Sequence, residues 1–197
     1  MWLMSNPAPM HEHAHEQLRY IRDAMERAST FTSIPGWGGV GVGLSAIVAT
    51  VLAQRAASPE IWLAIWLADA VLAAVIAAVA MVRKARRANV SFRGAPARRF
   101  FVSYLAPIAA AAALTVVLAR AELYAALPAT WLLLYGASFV SSGAYSIPAV
   151  PVMGVCFMLL GIAACFLPLA AGNVLLGVGF GGLHVVFGYV IAKSHGG

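Results

Sequence analysis

Hydrophobic positions fall into six long apolar runs, at about 37–53, 61–82, 100–119, 128–147, 150–167 and 174–192, separated by short polar or Pro/Gly-rich breaks. An α-helix needs about 20 apolar residues to cross the hydrocarbon core of a bilayer, so the pattern predicts six transmembrane helices. The fourth and fifth runs are joined by Tyr145-Ser-Ile-Pro148-Ala-Val-Pro151. One span of roughly 40 residues would overshoot a bilayer, and prolines at its centre break a helix, so the stretch divides in two. Ahead of the first run, Leu18, Ile21, Met25 and Ala28 recur at spacings of 3, 4 and 3, the stripe of an amphipathic helix over about 10–31. Its other face pairs Arg19 with Asp23, Arg22 with Glu26 and Asp23 with Arg27 at i,i+4, each pair contributing about 0.2–0.5 kcal/mol. Mixed charge there favours packing on protein, the membrane domain or a second copy, over a lipid-binding helix, whose polar side is mostly Lys and Arg. Phe31-Thr-Ser-Ile-Pro-Gly-Trp37 then ends the helix and sets an aromatic anchor at the interface. The expected organisation is a cytoplasmic arm, 1–35, and an all-α integral membrane domain, 36–197.

Composition narrows the class. The chain is 62% hydrophobic and 10% charged, whereas soluble domains carry about 25% charged residues. Six spans take up most of the 197 residues beside the arm and one basic loop, so neither a large receptor domain nor an attached nucleotidase is expected. The formal charge of +6 would raise the question of nucleic acid in a soluble protein; here its distribution is topological, and no nucleic-acid partner is expected. Arg83, Lys84, Arg86, Arg87, Arg93, Arg98 and Arg99 occupy the loop between the second and third spans, Arg19, Arg22 and Arg27 the arm, and Lys193 the tail, against Arg55 and Arg120 on the other side. The positive-inside rule then places both termini and the loop in the cytoplasm. The seven loop residues also attract anionic lipid headgroups, by about 1 kcal/mol each near the surface. The N-terminus lacks a basic stretch followed by an apolar run, so no cleavable signal peptide is expected and the first span directs insertion. Cys156 and Cys165 share one span; about 13.5 Å apart on a helix, they are beyond disulfide reach and read as small apolar residues.

Gly39 with Gly43 and Gly177 with Gly181 form GxxxG pairs in the first and last spans. Small residues let helix backbones approach closely in lipid, within one bundle or between protomers. Pro107 predicts a kink in the third span.

Two readily ionised residues lie deep in the apolar runs, Asp69 and His184. Counted from the outer ends of their spans they lie about 12 and 15 Å deep at 1.5 Å per residue. A charged Asp at a helix centre costs about 2.5–3.5 kcal/mol on insertion scales, so each should face a neighbour or a water pocket. They read as a shared polar site, serving a proton-linked relay or a small-ligand cavity, or as residues that fix helix order. Ser138 falls at the same depth. Gly136-Ala137-Ser138 in the fourth span and Gly181-Gly182-Leu183-His184 in the sixth resemble, in part, the serine and histidine of rhomboid intramembrane proteases. The chain departs from that family at Phe139, where its motif has Gly, in the short first external loop, and in lacking His and Asn in the second span. Without oxyanion-stabilising groups, often the largest catalytic contribution, Ser138 reads as a packing serine. His11 and His15, with His13 between them, have the i,i+4 spacing a transition metal can bridge, yet the chain offers no clear third ligand. One His within the spans does not suffice for bis-His haem, and no cofactor is expected.

Met25-Glu-Arg-Ala-Ser-Thr-Phe-Thr-Ser-Ile-Pro-Gly-Trp-Gly-Gly39, Pro151-Val-Met-Gly-Val-Cys-Phe-Met158 and Gly179-Phe-Gly-Gly-Leu-His-Val-Val-Phe-Gly188 resemble segments of a family of small multi-pass inner-membrane proteins of bacteria with no established activity. The resemblance implies a bacterial cytoplasmic-membrane location. The expected function is that of a non-enzymatic accessory, sensory or assembly subunit, partnered by the bilayer and by further copies or other membrane proteins. The alternative is a small proton-coupled carrier of a small or lipophilic solute, using Asp69 and His184; an intramembrane hydrolase ranks third.

Overall fold

The structure is a computed structural model describing residues 17–18, 31–88, 92, 94–167 and 169–195. Six helices are long and apolar enough to cross a membrane, and the chain is a multi-pass, all-helical membrane protein in its described residues. They are α1 (Gly36–Ala53), α2 (Pro59–Arg87), α3 (Ala95–Arg120), α4 (Leu127–Gly143), α5 (Ala149–Phe166) and a composite α6. The last runs as Leu169–Leu176, passes through a π-helical stretch, Gly177–Leu183, and continues as His184–His195. The amphipathic arm helix falls outside the described residues except at Gln17 and Leu18, which are helical and exposed.

Several ends differ from the expected ones for local reasons. Helix α2 starts where Ser58 Oγ accepts from Ile61 N–H (3.4 Å) and Pro59 occupies the first turn. It continues past the apolar run to Arg87, because Lys84, Arg86 and Arg87 suit the negative end of the helix dipole. Helix α3 likewise begins early, at Ala95, with Pro96 in its first turn, so most of the expected basic loop is helix. Helix α4 stops at Gly143 because the following backbone is used elsewhere. Phe31 N–H donates to Tyr145 O (2.7 Å), and Ser146 Oγ donates to Phe31 O (2.9 Å). Phe31 is buried against Phe92, Phe100 and Phe101, and Lys84 Nζ donates to Ile34 O (2.9 Å). The segment before α1 is thus strapped across one end of the bundle.

Pro107 lies inside α3 and cannot donate to Ser103 O. Ser141 of α4 supplies the missing donor at 2.9 Å, the remedy that hydrocarbon demands of an interrupted helix. Helix α3 ends on Glu122 at φ 59°, with Leu123 N–H reaching back to Leu118 O (2.8 Å), a left-handed cap usually given to glycine.

The helices α4 and α5 form the closest pair, α1 packs on α6, α2 leans on α1, and α3 leans on α4. The seam between α1 and α6 is built of small residues. A Cβ on Gly43 would lie 2.7 Å from Gly181 O, one on Gly188 would lie 2.6 Å from Val40 N, and Gly39 faces Gly188. Gly177 meets Thr50. These contacts are within the chain.

Candidate functional site

The bundle holds three polar groupings. One, near the end of the bundle where the first membrane helix stops and the second begins, centres on Asn173, which sits where the sequence shows only a break between apolar runs. Its Oδ1 accepts from Trp62 Nε1 (3.0 Å) and Trp66 Nε1 (3.1 Å), and its Nδ2 donates to Thr50 O (3.1 Å) and Gln54 Oε1 (2.9 Å). A side-chain amide can make four hydrogen bonds, and all four are made. The Trp62 ring stacks on Trp131 (5.6 Å between centroids, 2° between planes), and Trp131 Nε1 donates to Thr115 Oγ1 (2.8 Å). Four spans and the first segment of α6 are tied together by this cluster.

At mid-bundle, His184 follows directly on the π-helical stretch and is buried. Its Nε2 lies 2.9 Å from the Tyr135 hydroxyl, and its Nδ1 has no hydrogen-bond partner. Phe157 (5.5 Å), Tyr135 (5.6 Å), Phe139 and Phe180 (both 6.3 Å) surround the ring. The Tyr135 hydroxyl in turn engages that of Tyr104, giving a line Tyr104–Tyr135–His184 across α3, α4 and α6.

The third grouping is Asp69. It is half-buried on the stripe of α2 that also carries Trp62 and Trp66, on the side of Ser45 of α1; Ser45 Oγ donates its one proton to Val42 O of its own helix (2.9 Å). The structure brings His184 to Tyr135 and Asp69 to Ser45, and neither nitrogen of His184 bonds to Asp69. Ser138 is fully buried and donates to Tyr135 O of its own helix (2.7 Å), while its carbonyl accepts from Ser142 Oγ (2.7 Å). It makes no bond to His184, so these two residues do not form a nucleophile and base.

Arg83, Arg86, Arg87, Arg98 and Arg99 are exposed at the end of the bundle where Phe31 docks. Arg93 and the three arm histidines, His11, His13 and His15, lie outside the described residues. Gly39, Gly43, Gly177 and Gly181 lie on the α1–α6 seam.

Sequence reasoning missed Asn173, Tyr104 and Tyr135. One signal was present for the first: Trp62, Trp66 and Asp69, at spacings of 4 and 3, mark one face of a span with hydrogen-bonding side chains. No family model, curated protein or solved structure matches this chain.

Proposed function

We propose that this is a non-enzymatic accessory, sensory or assembly subunit of a bacterial cytoplasmic membrane. The observation that carries this reading is the saturation of Asn173 by four intramolecular hydrogen bonds that join α1, α2 and α6. Its polar atoms are used to order helices. The hydroxyls of Thr50, Thr115, Ser138 and Ser142 also bond back to carbonyls of their own helices, a pattern of packing and not of a reacting centre. The eleven-to-two distribution of Lys and Arg supports cytoplasmic termini and, with them, a cytoplasmic amphipathic arm and a basic face attracted to anionic headgroups.

The test is photo-crosslinking in native membranes from positions 71 and 102. Val71 on α2 and Val102 on α3 are among the most exposed apolar residues. A subunit gives a discrete protein adduct, with another protein or a second copy, from at least one of the two. Adducts to lipid alone from both would remove the subunit reading.

A second reading, a proton-coupled carrier, draws support from His184 Nδ1, which is buried without a partner, and from Asp69 on the inward stripe of α2. Intramembrane ionisable residues commonly mark such paths.

A further inference from the structure

Helices α2 and α3 bury the least of the six spans among the described residues, and they do not pack along one another; α2 leans on α1 and α3 on α4. Both are longer than a bilayer requires. Helix α2 has 29 residues and α3 has 26, about 43 and 39 Å at 1.5 Å per residue, against a hydrocarbon core of about 30 Å. The excess falls at the basic end, since about 20 residues from Ile61 reach Ala80 and about 20 counted back from Ala119 reach Phe100. Arg83 and Arg86 on α2 and Arg98 on α3 therefore stand about 3–9 Å beyond the core, at the level of the headgroups.

The same residues are placed around each helix by its packing. Ala85 is buried, Met81 joins the cluster of Phe31, Ala97 and Phe100, and these four fix the inward sides of the two helix ends. Successive helical residues turn by about 100°, so Arg86, next after Ala85, and Arg98, next after Ala97, are carried outward. Each is exposed and stands at the head of an exposed apolar stripe: Arg86 above Val82, Val79 and Val75, and Arg98 above Val102, Leu105 and Ala109, both at spacings of 4, 3 and 4. Among the described residues no carboxylate shares this end. Glu60 and Glu122 lie at the far ends of α2 and α3, and Asp69 lies within its span. A guanidinium at phosphate level over a strip of hydrocarbon one leaflet long matches a single phospholipid, headgroup above and acyl chain below. An acidic soluble partner would meet the guanidinium and leave the stripe uncovered.

We infer that the basic ends of α2 and α3 are binding sites for anionic phospholipid, with the phosphate held by Arg86 on α2 and by Arg98 on α3 and the acyl chains laid along the stripes beneath. Arg83, on the adjacent face of α2, adds charge to the first site. This rests on the basic face of the proposed reading and deepens it, naming residues and a ligand where that reading has only a diffuse attraction. It expects lipid at position 102 and leaves Val71, about 22 Å along α2 from Arg86, to a protein partner. The two readings fail separately, because lipid preference is measured on the purified chain and the subunit on crosslinks in native membranes.

The experiment is native mass spectrometry of the full chain in detergent micelles, titrated with dioleoylphosphatidylglycerol or with the zwitterionic dioleoylphosphatidylcholine. Saturable binding that favours the anionic lipid is expected, and the water-soluble headgroup glycerophosphoglycerol should not bind over the same range. Arg86→Gln and Arg98→Gln should each weaken the anionic lipid at its own site by about 5-fold and leave the zwitterionic one unchanged, and together they should abolish the preference. Arg120→Gln, exposed at the opposite end of α3, should have no effect. Circular dichroism checks that each variant is folded. Equal binding of the two lipids, or a preference that survives the double substitution or falls as much with Arg120→Gln, overturns the sites. So does binding of the soluble headgroup alone, which would make this an anion site without the acyl chain. A photo-crosslink from position 86 or 98 to the arm would likewise overturn them, assigning these ends to Asp23 and Glu26 instead.

Discussion

Replacing Asn173 by leucine removes the acceptor of two indole N–H groups and the donor to Thr50 O and Gln54 Oε1. Thr50 O keeps its helical bond from Gln54 N–H (3.0 Å), so that half of the loss is small. Trp66 is 4% exposed, and its orphaned N–H carries a desolvation cost of about 1–3 kcal/mol. Trp62 is half-buried near the end of its span, and losing its bond should cost about 0.6 kcal/mol, the average for a side-chain hydrogen bond in a membrane protein. Together these predict a destabilisation of about 2–4 kcal/mol for Asn173→Leu. The assay is unfolding by dodecyl sulfate titration in mixed micelles, followed by circular dichroism. Trp66→Phe in the same background removes the orphan, so the pair should be non-additive by about 1–2 kcal/mol. A loss below about 0.5 kcal/mol, or strict additivity with Trp66→Phe, would refute the assignment of Asn173 as the knot of this end of the bundle.

Three further perturbations follow from the fold. Ser141→Ala should cost about 1 kcal/mol in the native chain by stranding Ser103 O, and almost nothing in a Pro107→Ala background, where the residue at 107 supplies its own N–H; equal costs in both, by the same titration, would show that Ser141 does not cap the interrupted helix. Glu122→Gly should stabilise by about 0.5–1 kcal/mol, because it relieves the left-handed backbone at the end of α3, visible as a raised melting temperature in detergent. Gly188→Ala should destabilise by about 1–3 kcal/mol, since its Cβ would meet backbone across the α1–α6 seam, while Gly182→Ala, with nothing within 4 Å of the added carbon, should be neutral or slightly stabilising in thermal melts.

The six spans were legible because hydrocarbon leaves an exposed backbone no alternative to helix, and about 20 apolar residues are needed to cross. Their ends were less so, since hydropathy stops at Val82 whereas the helix continues to Arg87 on capping and dipole terms. The π-helical stretch from Gly177 to Leu183 was hidden, because a glycine run permits close packing in either helical register. Sequence depth put Asp69 and His184 at one level but could not say which way around its axis each helix faces. Asp69 turns to α1 and His184 to α4. Asn173 was passed over because a polar residue between apolar runs looks like a loop, and only its distance from Trp62 and Trp66 in space reveals the hub.

The account holds that the polar residues of the spans order helices and do not carry ions or solute. Its most direct test is proton movement in proteoliposomes loaded with a pH-sensitive dye and given an imposed pH gradient and membrane potential. Purified protein should leave the dye signal at the level of empty liposomes, with Asp69→Asn and His184→Gln indistinguishable from the unmodified chain. A proton flux above that baseline that either substitution abolishes would contradict the account and establish the carrier in its place.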